Sequence, residues 1–160
     1  MDSGRLQAPA TERLLFQYVN QVREEAGRPI LDRRSSLDRL ATAVANGTIE
    51  EKRVRAQNSS GGATDGLRNW TQVTCTRTSI LQSTLHVGES SMIGNRSVSF
   101  DDPREFTRGV VYAWRSEPSR RRILLSENWS IGGAAVVRES GDEIRVVLVV
   151  CSASKGDDLG

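Results

Sequence analysis

The sequence predicts an α+β fold in which helices pack on both faces of a small sheet. Two observations carry that expectation. Segments in the first 45 residues and again after residue 102 repeat apolar residues at helical spacing. Near the C-terminus, IGGAAVV and EIRVVLVVC read as strands joined by the turn ESGD. The second of these is apolar almost throughout, which places it in the interior of the sheet, covered on both faces.

The elements follow in order. Thr11 to Ala26 puts Leu14, Leu15, Tyr18, Val19 and Val22 on one helical face, with Thr11 as N-cap and Gly27 and Pro29 closing the helix. A short extended link, RPILD, leads to a second helix at Ser35 and Ser36 with Leu37, Leu40, Ala41, Val44 and Ala45 inward. Gly47 interrupts that helix at a cost of about 1 kcal/mol relative to Ala, and the helix is expected to run on through IEEKRVRA. QNSSGGATDG is loop, and Trp70 to Thr78 alternates as a strand or extended loop. Asp102–Pro103 starts a third helix, whose buried face is Phe106, Val110, Val111 and Trp114. The expected layout is a flexible segment over 1–10, one domain over 11–152 and a frayed tail over 153–160.

Composition narrows the class. The chain is long enough for one domain with a real core, and no apolar run approaches the ~18 residues a membrane span needs. Net charge is +2, and the 22 basic residues are almost all arginine. That balance is too even for a specific nucleic-acid binder. The start, MDSGRLQAPATER, lacks a basic-then-apolar leader, so the chain is either cytosolic or an exported protein whose leader has been removed. Five asparagines, Asn46, Asn58, Asn69, Asn95 and Asn128, stand in N-x-S/T acceptor patterns, which favours a glycosylated, secreted or cell-surface protein. Export would make Cys75–Cys151 a disulfide; the alternative is two buried thiols. With one histidine and no CxxC, a structural zinc site is out of reach.

Five stretches, in this order, resemble the family of cysteine-rich secretory proteins, antigen 5 and plant pathogenesis-related 1 proteins, the CAP domain. They are YVNQVREEAGRPIL, LDRLATAVAN, VGES, VVYAWRSEPSRRRILL and SENWSIGGAAVV followed by EIRVVLVVC. The similarity is to prokaryotic secreted members in particular. It implies a three-layer α-β-α sandwich with a small, mostly antiparallel central sheet. It also pairs a cysteine before the VGES turn with one ending the last strand. Many members carry a cleft with two histidines and two acidic residues that can hold zinc. On that pattern Glu89 fills the first acid and Glu117 the second. Arg120 stands where one histidine is expected, Arg121 takes the family arginine, and Ser59 or Ser60 stands in place of the other histidine. His86, three residues before Glu89, matches no position of the tetrad.

A guanidinium offers donors only and cannot ligate a cation, so Arg120 is expected to pair with Glu89 or Glu117. The cleft set is thus Glu89, Glu117, Arg120, Ser59 and Ser60, with no metal and no cofactor expected. Glu89, Glu117 and His86 are the candidates for acid–base work, against a simpler reading as fold-stabilising groups. Arg120 to Arg122 read either as an anion site or as a solvated turn. The preferred function is a non-enzymatic, exported, monomeric binding or effector module with an unidentified macromolecular or lipid ligand. The alternatives are a lipid or sterol carrier, and a hydrolase using Glu89 and His86.

Overall fold

The computed structural model describes residues 8–47, 75–86, 92–93, 96–97, 102–138 and 143–153. Helix α1 spans Ala8–Glu25. It starts three residues before Thr11, because Pro9 suits a first turn, where its missing N–H has no partner to lose. Thr11 is therefore not the N-cap; its Oγ1 is buried inside the helix without a hydrogen-bond partner. Leu15, Val19 and Val22 of the expected face are buried, and Phe16 joins them. Past the helix, Asn20 brackets the backbone of Leu31: Leu31 N–H donates to its Oδ1 at 2.8 Å, and its Nδ2 donates to Leu31 O at 3.0 Å. The side chain acts as a strand partner would, which holds the RPILD link extended into β1, Asp32–Arg33.

Helix α2, Ser35–Ala45, buries Leu37, Leu40, Ala41, Ala43, Val44 and Ala45. It stops at Ala45. Gly47 has φ 83° and donates its N–H to Val44 O, so it closes the helix rather than interrupting it. The stretch IEEKRVRA lies outside the described residues. Strand β2, Cys75–His86, begins within the expected extended segment but runs eight residues past Thr78. Short strands β3, Met92–Ile93, and β4, Arg96–Ser97, form a separate antiparallel pair. Helix α3, Pro103–Ser116, is capped by Asp102, whose carboxylate accepts from Arg104 N–H at 2.9 Å. Phe106, Val110, Val111 and Trp114 are all buried as the spacing predicts. Helix α4 spans Pro118–Leu124, followed by β5, Ile131–Arg138, and β6, Glu143–Ala153.

The main sheet has the order β1-β5-β6-β2. Its pairs are antiparallel except the two-residue parallel match of β1 with β5. β6 is central, so its residues alternate between two separate cores. Val146, Leu148 and Val150 face α1, α3 and α4, whereas Val147, Val149 and Cys151 face α2. This is the α-β-α sandwich, and it explains why β6 reads as an unbroken apolar run. The α2 side is tight. A Cβ on Gly133 would stand 2.3 Å from the Leu37 carbonyl carbon, so only glycine lets α2 approach β5 so closely. On the other side, fully buried Trp114 donates its Nε1–H to Ser83 Oγ at 2.9 Å.

Cys75 and Cys151 form a disulfide between β2 and β6, with Cα atoms 5.6 Å apart. Closing a loop over a separation of 76 residues stabilises the fold by about 4.5 kcal/mol in the chain-entropy picture. Among the described residues no helix is long and apolar enough to cross a membrane.

Candidate functional site

The proline of SEPSRRR shapes the candidate cleft. Pro118 crowds the residue before it out of the helical region, and Glu117 accordingly sits at φ −99°, ψ 125°. That single extended residue ends α3 and starts α4. The stretch expected to be a turn is thus a seven-residue helix with Arg120, Arg121 and Arg122 on it. Arg120 Nη1 donates to Glu117 Oε1 at 3.0 Å, one turn along α4. Each side chain is 34% exposed, so the pair is half-solvated. Arg121 and Arg122 are exposed in the last turn, where cations complement the helix dipole.

Of the expected cleft residues, Glu117 and Arg120 come together. Glu89, Ser59 and Ser60 lie outside the described residues, as do Asn58, Asn69 and Asn95. His86 is the last residue of β2, paired in register with Glu143; its side chain is not among those described. Asn46 and Asn128 are both exposed. Among the described residues no three His, Cys, Asp or Glu side chains gather as a metal would require.

Two polar constellations were not foreseen from the sequence. The first is Arg23, which is fully buried. Its Nε donates to Pro29 O at 2.9 Å, and its Nη1 donates to Leu124 O at 2.8 Å and Ser126 O at 2.9 Å. Neighbouring Arg28 donates to Leu125 O at 2.8 Å and pairs with Glu127. Together they satisfy the carbonyls that α4 leaves open at its C-terminus. Burial, and then the charge of Arg28, lower the Arg23 pKa from its ordinary value. Arg23 belongs to the quoted stretch YVNQVREEAGRPIL, but its carbonyl partners are about a hundred residues away and invisible from it.

The second lies along β5, which β1 pairs only as far as Gly132. Beyond that point carboxylates from two helices replace a neighbouring strand. Ala134 N–H donates to Asp38 Oδ1 and Val136 N–H to Glu12 Oε2, each at 2.9 Å. Arg33 bridges them, at 3.1 Å from Asp38 and 3.6 Å from Glu12. Burial raises the Glu12 pKa; the Val136 hydrogen bond and Arg33 oppose this, and Asp38 adds to it. These acids serve the sheet edge, since each is already committed to a backbone donor.

A sequence profile of the cysteine-rich secretory protein family, CAP, matches residues 16–152. The chain belongs to that family. No curated protein matches it in sequence. Among solved structures, this CAP chain is similar to an outer surface protein of Borrelia burgdorferi, with a TM-score of 0.59 and 11% identity, covering 96% of this chain and 97% of that one. A cysteine-rich secretory protein of Staphylococcus aureus aligns at 0.52 and 18%, over 89% of this chain and 39% of its own. An extracellular SCP-domain protein of Bacillus anthracis aligns at 0.51 and 14%, over 94% and 43%. The CAP chain thus spans about two fifths of the last two. At these identities the likeness shows the fold alone.

Proposed function

We propose that this CAP domain is an exported binding module whose metal tetrad is degenerate and which carries no catalytic chemistry of its own. The carrying observation is the Arg120–Glu117 contact at 3.0 Å. At the position where the resemblance puts a histidine, the chain offers a permanently protonated donor. That donor already engages the second acid of the set. Zinc is held by three or four N, S or O ligands, and a guanidinium cation at one of the positions repels the ion as well as leaving it one ligand short. The residues at 117 and 120 therefore do not fit zinc, and no step is routed through it.

Export rests on two supports. The disulfide suits an oxidising compartment. Two of the similar structures are described as extracellular and outer-surface proteins. Asn46 and Asn128 are accessible, as acceptor asparagines must be, and they are the described positions at which glycans would sit.

Calorimetric titration of the metal-free protein with zinc tests the reading, with Glu89→Ala as the control. No saturable heat is expected. Micromolar binding abolished in Glu89→Ala would overturn the reading and return attention to His86 and hydrolysis.

A further inference from the structure

We propose that the solvent face of α3 binds an acidic polysaccharide through Arg104, Arg108 and Arg115. At 3.6 residues per turn these three fall within an arc of about 40° and span about 16 Å of the helix axis. All three are exposed, and none pairs with a carboxylate among the described residues. The N-terminal part of the stripe is unfavourable for folding, whereas Arg115 in the last turn complements the helix dipole. Arg104 and Arg108 are like charges at i, i+4, and Arg104 stands in the first turn, against the helix dipole. Glu105, the helix's first-turn acid, stands about 100° round from Arg104 and about 60° from Arg108, its i,i+3 neighbour, at the margin of the stripe, and it forms no ion pair with either. Across residues 103–124 six arginines face two glutamates, a local excess of +4 that exceeds the net +2 of the whole chain, so α3 and α4 are its most basic region.

Tyr112 organises the stripe. The Arg115 guanidinium carbon lies 4.8 Å from its ring centroid and that of Arg108 5.9 Å. Two guanidiniums held against one ring are partly ordered before a ligand arrives, which lowers the entropy cost of engaging sulfates or carboxylates. Guanidinium groups match both anions with paired donors. A line of three fits an extended polyanion better than a single small ion.

A membrane surface fits less well. The one large apolar side chain strongly exposed among the described residues is Ile30, in the link after α1, so α3 offers nothing to insert. The more conspicuous run, Arg120 to Arg122, is the weaker candidate: Arg120 is engaged by Glu117, and among the described residues no aromatic ring holds Arg121 or Arg122 as Tyr112 holds Arg108 and Arg115. The inference rests on the exported-module reading, because acidic polysaccharides are met outside the cell. The zinc titration tests that reading separately.

The test is binding of the whole chain to immobilised heparin and to polygalacturonate at about 0.15 M salt, where the Debye length is ~8 Å. Phosphatidylglycerol vesicles and a DNA duplex serve as comparators. Saturable binding to at least one polysaccharide is expected, and it distinguishes sulfate from carboxylate as the recognised group. R104Q/R108Q/R115Q should weaken that binding at least tenfold. R121Q/R122Q, which removes two charges as well, should change it less than twofold. Tyr112→Ala should weaken it about threefold while Tyr112→Phe retains it. Absence of polysaccharide binding overturns the proposal. So do equal losses in the two arginine variants, or tighter binding to vesicles or DNA than to either polysaccharide.

Discussion

Helix α4 has an arginine at each end, and the two differ in everything but side chain. At the N-terminal end, Arg120 meets Glu117 in a pair that water reaches from both partners. At the C-terminal end, Arg23 is sealed from solvent and meets carbonyls rather than a carboxylate. The first arrangement exchanges water for a screened ion pair and contributes little. The second turns the negative end of a helix dipole, three carbonyl groups and a permanent cation into a plug between α1 and α4. A surface arginine can be placed for what it binds or blocks, whereas a buried one is placed for what would otherwise be left unsatisfied.

The largest expected effect tests the buried end. Arg23→Ala should cost about 4 kcal/mol in urea unfolding, because several buried acceptors lose their donors together. Arg23→Lys should recover less than half, since an ammonium cannot reproduce the fork that reaches Pro29, Leu124 and Ser126. Full recovery by lysine would mean that charge alone matters there.

A middle case lies at the edge of β5, where Glu12 is partly buried. Its raised pKa means that the folded state holds a proton more readily than the unfolded one. Its contribution to stability is therefore fully present below the ordinary carboxylate value of 4.5 and is lost as pH rises through the raised folded value. Wild type measured against Glu12→Gln should gain relative stability as pH falls through that window. A gain on raising the pH instead would show that Arg33 and the Val136 hydrogen bond outweigh burial.

The smallest effect belongs to the exposed end. Arg120→Gln should change stability by no more than about 0.5 kcal/mol, and 0.5 M salt should shrink the difference further. A loss of several kcal/mol would put Arg120 among the structural arginines and remove the contrast.

Helix faces were legible wherever their periodicity was local. Phe106, Val110, Val111 and Trp114 went inward as read, and β6 lay in the sheet interior because its apolar run leaves no face for water. Boundaries were less legible. Gly47 ends α2 by adopting positive φ, a choice between closing and interrupting that spacing does not reveal. β2 continued past Thr78 because β6 offers an eleven-residue partner, which the mixed polar segment SILQSTLH does not announce.

The sequence alone determined the fold class, the two-sided burial of the last strand and the family. Each depends on patterns a few residues long, repeated in order. It also determined that the side chain at position 120 is a donor that cannot ligate a cation, because that is a property of the residue type. Only the tertiary structure decided which partner Arg120 takes, that Arg23 is buried, and that Glu12 and Asp38 close the edge of β5. Those outcomes depend on contacts between residues up to 124 positions apart, where desolvation and backbone satisfaction outweigh local preference.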